Sequence, residues 1–73
     1  MSGIAKVRRL IGDNIRTLRK EAGFSQEVLA ERAELHPVYL SQVECGKKAA
    51  SVEDLWRISK ALKKPMPTFF QGI

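Results

Sequence analysis

The side chains in this sequence that can do chemistry are mainly amides, hydroxyls and cations. Gln26, Ser41, Gln42, Lys47 and Lys48 stand close together along the chain, and their chemistry is hydrogen bonding and the neutralisation of anions. Groups for bond-breaking are sparse. One histidine, His36, and one cysteine, Cys45, are too few for a structural zinc site, and one cysteine excludes an internal disulfide framework. No acid, base and nucleophile gather into a catalytic constellation, so an enzyme is not expected, and neither is a cofactor. The 13 Lys and Arg residues exceed the 8 Asp and Glu by five, which favours a polyanionic partner. That charge is unevenly spread: residues 1–20 sum to +5, residues 21–46 to −4 and residues 47–73 to +4. An unstructured basic tail would not carry an acidic middle.

Helices must position these groups. Ile4, Val7, Ile11, Ile15, Leu18 and Ala22 recur at intervals of three and four, the stripe of an amphipathic helix. Gly12 interrupts that stripe at a cost of about 1 kcal/mol relative to Ala, so helix before residue 12 is expected to be less secure. Gly23 suits the stop. Ser25 predicts the cap of a second helix with Leu29, Ala30 and Ala33 inward. Pro37 suits the first position of a third, with Leu40 and Val43 inward and Gly46 as its stop. Ser51 caps a fourth, with Leu55, Ile58, Ala61 and Leu62 on its core face, and Lys64-Pro65 ends it. Thr68–Gln71 reads as a last short turn or helix. No strand of convincing alternation appears. The expected fold class is all-α, a bundle of about five short helices in a single domain over residues 1–73.

Residues 26–45 form two short helices with a tight connection, the spacing of a helix-turn-helix whose second helix enters the DNA major groove. The runs Ser25-Gln26-Glu27-Val28-Leu29-Ala30-Glu31-Arg32-Ala33 and Tyr39-Leu40-Ser41-Gln42-Val43-Glu44-Cys45-Gly46-Lys47 resemble the XRE family of phage Cro and cI-type repressors. The resemblance runs from about Ile11 to Phe70. It implies a lambda-repressor-like DNA-binding domain and a two-fold dimer on a palindromic operator. It also implies no catalysis and no cofactor. Gln26 matches a frequent phosphate contact, which agrees with the open N–H groups of a helix start. Arg19 and Glu44 match a buried structural ion pair, and Lys47 and Lys48 match phosphate contacts after the recognition helix.

With Leu40 and Val43 inward, Pro37, Val38, Ser41, Gln42 and Cys45 face outward. Gln42 is the foremost base reader, because an amide pairs bidentately with adenine; Ser41 can donate or accept, and Val38 can pack on a thymine methyl. Tyr39 is expected on phosphate or sugar. Three departures from the family stand out. Pro37 replaces a polar or basic DNA-reading residue. His36 replaces a Ser, Thr or Asp cap, so an imidazole nitrogen or water must cap the helix. Glu34 replaces a frequent turn glycine and is strained if that position needs positive φ.

The segment 52–73 carries Trp56, Met66, Phe69 and Phe70, more apolar surface than a small domain's tail requires. These residues are expected to form a homodimer interface. No apolar run approaches the ~18 residues of a membrane span, and Met1–Lys6 lacks the apolar core of a signal peptide, so a cytoplasmic chain is expected. The reading is a stand-alone transcriptional regulator, like restriction-modification controllers or Cro, with double-stranded DNA as partner and no small-molecule ligand. The alternative is an antitoxin-like or regulatory protein-interaction module that keeps the fold with weak DNA affinity.

Overall fold

Each capping signal starts a helix in the computed structural model, which describes residues 3–73. The elements are α1 (Ile4–Glu21), α2 (Gln26–Ala33), α3 (Pro37–Glu44), α4 (Val52–Leu62) and a 3-10 turn (Met66–Phe70). The architecture is all-α, with four α-helices and that single closing turn among the described residues. Ser25 Oγ accepts the Val28 N–H at 3.1 Å to start α2, and Ser51 Oγ accepts the Asp54 N–H at 3.0 Å to start α4. At α3 the imidazole itself is the cap: His36 Nδ1 accepts the Val38 N–H at 3.1 Å. The neutral ring must therefore carry its proton on Nε2.

Glu34 takes the left-handed conformation (φ 59°) at the end of α2, the strain foreseen from the missing glycine. That conformation costs a side-chain-bearing residue about 1–2 kcal/mol. A 2.8 Å bond from Leu35 N–H back to Ala30 O closes the turn and offsets part of the strain.

The expected weakness of α1 before Gly12 is not found. The helix runs unbroken from Ile4, and Gly12 is buried in it. A Cβ there would collide with the carbonyl oxygen of Val43 and lie 2.6 Å from that of Glu44. The missing side chain lets α1 cross the C-terminal end of α3 at backbone contact. Packing thus offsets the helical cost of glycine.

Ile15, Leu29, Ala30, Leu40, Ile58 and Phe69 are fully buried and make the centre of the core. α2 packs on α4, while α1 packs on α3 and on the 3-10 turn. The small Ala30 and Ala33 keep α2 close to its neighbours. Phe69 corrects the sequence-based interface assignment, because it belongs to the chain's own core. Asn14 Nδ2 donates to Phe69 O at 2.8 Å and to Gln71 O at 3.0 Å. α1 thereby holds the closing segment so that the first of the two adjacent rings points inward.

Candidate nucleic-acid interface

α3 lies with Leu40, Val43 and Glu44 buried. Val38 is 58% exposed and Ser41 and Gln42 are half-buried. The period of the helix sets Val38 and Gln42 opposite Leu40, with Ser41 on the flank beside them. An edge of hydrogen-bonding groups beside one branched apolar side chain is therefore presented on a rigid element.

A buried polar network holds that helix. Arg19 grips Glu44 with both arms of its guanidinium, Nε to Oε2 at 2.8 Å and Nη2 to Oε1 at 3.1 Å. The third nitrogen of Arg19 donates to Phe24 O at 2.9 Å. Glu44 Oε1 also accepts from Gln26 Nε2 at 2.9 Å, and the Glu44 main-chain oxygen accepts from Arg16 Nη2 at 3.2 Å. Glu44 is wholly shielded from solvent. No buried side-chain polar atom among the described residues lacks a partner. Full satisfaction is what makes a buried charge tolerable.

The network joins the C-terminal part of α1, the start of α2 and the end of α3. Arg19 and Glu44 form the predicted pair, but two of its members were not read from the sequence. Gln26 was expected only as a surface contact, yet its amide nitrogen is turned onto Glu44, which orients the group. The first turn of α2 still leaves main-chain N–H groups open, as a helix start must. Arg16 supplies the cation that α3 lacks in its own last turn. Its recurrence three residues before Arg19 was the available signal.

Tyr39 is tied inward as well. Its hydroxyl donates to Asp54 Oδ2 at 2.7 Å. Burial first, then the Asp54 carboxylate, push the phenol pKa up to about 12, while an N–H from Ser51 opposes them. The bond links α3 to the start of α4, and a phosphate contact by this hydroxyl would have to break it. Asp54 also faces Arg57 at 3.7 Å.

Beyond α3, the exposed Lys47 and Lys48 follow the stop at Gly46. Their main-chain N–H groups both donate to Gln42 O, at 2.9 and 3.3 Å. Pro37 is exposed at the head of α3, and Cys45 is exposed at its end. A Cβ at Gly46 would come within 2.9 Å of the Arg9 Cα. The basic N-terminal half of α1 therefore approaches the same end of α3.

On α4, Trp56 is 55% exposed and Val52 72%, while Met66 is half-buried beside them; Phe70 is 38% exposed. Lys60 Nζ lies 5.7 Å from the centre of the Trp56 ring. Val52, not singled out from the sequence within the segment 52–73, stands four residues before Trp56 and is exposed beside it.

Two short helices joined by a tight turn, the second locked on one side and open on the other, define a helix-turn-helix protein. The family model described as helix-turn-helix matches residues 15–69. The chain belongs to this family, in its XRE branch of DNA-binding transcriptional regulators. It is 39% identical over 57 residues to the control protein C.BamHI of Bacillus amyloliquefaciens, covering 77% of this chain and 70% of that one. It is 42% identical over 50 residues to the HTH-type transcriptional regulator RamB of Mycobacterium tuberculosis, of which the match spans only 10%. The crystal structure of the restriction-modification controller protein C.AhdI from Aeromonas hydrophila superposes with a TM-score of 0.85 at 30% identity. That superposition covers 86% of this chain and 96% of C.AhdI. No helix among the described residues is long and apolar enough to cross a membrane.

Proposed function

We propose that this chain is a sequence-specific double-stranded-DNA-binding regulator that acts as a homodimer on a palindromic operator, as a controller-like protein of the cytoplasm. The observation that carries this reading is α3 itself. One side is locked by Leu40, Val43 and the Glu44 network, and the other offers Gln42, Ser41 and Val38. Gln42 reads a base through its amide, Ser41 supports it, and Val38 packs on a thymine methyl. Lys47, Lys48 and the first turn of α2 at Gln26 hold phosphates and set the register. Pro37 closes the groove end of α3 without a hydrogen bond of its own. Val52, Trp56, Met66 and Phe70 supply the apolar face that a second copy would cover. The match to C.BamHI and C.AhdI supports the controller reading.

Selection of bound sequences from a random DNA library near 0.15 M salt tests the proposal. A two-fold symmetric motif with half-sites about one helical turn apart is expected. If the dimer neutralises about 6–10 phosphates, affinity falls about 10³–10⁵-fold between 50 and 200 mM salt. A bound pool without an enriched motif would overturn the reading in favour of a protein-interaction module, with the Trp56 surface as its contact.

A further inference from the structure

On the side of α1 that carries Ile4, Val7 and Ile11, a cavity of about 420 Å³ opens against Val43 of α3 and Leu55 of α4. That volume lies within the range of small-molecule sites, about 300–1,000 Å³. The loop residues Ala49 and Ala50 complete an almost wholly apolar wall. Among the described residues only two charged ones line it, Arg8 and Lys48. Both are cations, and neither has an ion-pair or hydrogen-bonding side-chain partner among the described residues. No carboxylate of the described residues lines the cavity.

We infer that this cavity binds a small amphipathic anion, an apolar body bearing one carboxylate, such as a medium-chain fatty acid. The apolar body is recognised by burial against the α1 stripe, which removes its CH₂ groups from water. The carboxylate is recognised by Arg8 and Lys48 at the rim, where opposite charge and a fork of donors suit it. An uncharged hydrocarbon would leave both cations unused, and a multiply charged ion would find no polar wall.

Occupation bears on the DNA face by a short route. Lys48 is one of the proposed phosphate contacts, and its main-chain N–H rests on the carbonyl of Gln42. Val43, one residue on, is among the residues that line the cavity. A bound carboxylate draws Lys48 from the phosphate and neutralises two cations at that end of α3, so the anion lowers DNA affinity. This regulatory step rests on the DNA-binding reading; the binding step does not.

The test is titration of the full chain, free of DNA, with octanoate and with octanol as the uncharged control, followed by amide NMR. Saturable shifts confined to the residues around Val7, Ile11, Ala49 and Ala50 are expected, with octanoate the tighter. Arg8→Gln and Lys48→Gln should each weaken octanoate about tenfold, the loss of one charge-assisted hydrogen bond. Neither should alter octanol binding. Val7→Glu, a change at an exposed position, should abolish octanoate binding while the spectrum remains folded. Equal affinity for octanoate and octanol, or shifts spread over the Trp56 face, would overturn the proposal. So would cavity shifts that follow protein concentration alone, because the occupant would then be a second copy. With the selected operator, octanoate should release the protein from DNA. Failure to select any operator would leave the binding result standing, whereas operator binding indifferent to saturating octanoate would sink the regulatory step alone.

Discussion

On α3 the side chains left outside include Pro37, Val38, Ser41 and Gln42, whereas on α4 they include Val52, Trp56 and Lys60. The two helices are also held from behind by different means. α3 rests on two apolar residues and a buried carboxylate clasped by Arg19, Gln26 and Arg16. α4 rests on Leu55, Ile58 and Leu62 with no buried charge at all. A surface that reads a hydrated groove needs its groups held at a set orientation, and directional bonds provide that. A surface that meets another apolar surface needs mainly area, for which an oily underside suffices. If α3 reads the groove as proposed, the polar network serves to aim it as well as to hold it.

The sharpest way to break the comparison is Glu44→Ala. It strands the Arg19 guanidinium in the interior and should cost about 3–5 kcal/mol, a large share of what a domain this small possesses. The urea midpoint measures it. If the variant loses under about 1 kcal/mol, the network is not what holds α3.

Trp56→Ala tests the opposite case. The ring is more than half exposed, so the monomer should keep its stability within about 1 kcal/mol. Self-association should weaken by about 2–4 kcal/mol if the ring anchors the interface. Sedimentation equilibrium separates the two. An unchanged dimer constant would remove Trp56 from the interface.

For the groove, Gln42→Ala and Lys47→Ala form a pair. The first should flatten preference at one base position by about 1–3 kcal/mol, and the second should weaken all sequences alike and lower the salt slope by about 1. Uniform weakening by Gln42→Ala would refute its reading role. These outcomes also ask whether α3 is aimed, since a loosely held helix would lose specificity in either variant.

What the sequence disclosed follows the same division. Helix starts were legible at Ser25, Pro37 and Ser51 because caps act within three residues of chain. The Arg19–Glu44 pair was legible only through family resemblance, since its partners lie 25 residues apart. Gly12 looked like a defect because its helical cost is local, while its benefit lies in the Val43 and Glu44 carbonyls of another helix. Phe69 and Phe70 were indistinguishable by composition. The Asn14 bonds and the packing of the closing turn on α1 and α4, which no sequence pattern marks, go with the inward turn of Phe69. Local chemistry writes elements into a sequence; contacts across elements are written in pairs that one chain does not label.

The smallest expected effect lies where the two helices meet. Tyr39→Phe removes the hydroxyl that donates to Asp54 and should cost about 1–2 kcal/mol, since the acceptor is charged but keeps Arg57 nearby. The sign with pH follows from the raised pKa. In the unfolded chain the phenol ionises near 10, and in the folded chain near about 12. The neutral form is therefore the one the fold favours. Its stabilisation is fully present below pH 10 and is lost as pH rises through 12. Urea midpoints for the parent and the variant should differ by a constant amount up to pH 10 and converge above it. Parallel curves across that window would mean that neither burial nor the Asp54 carboxylate holds the proton on the Tyr39 hydroxyl.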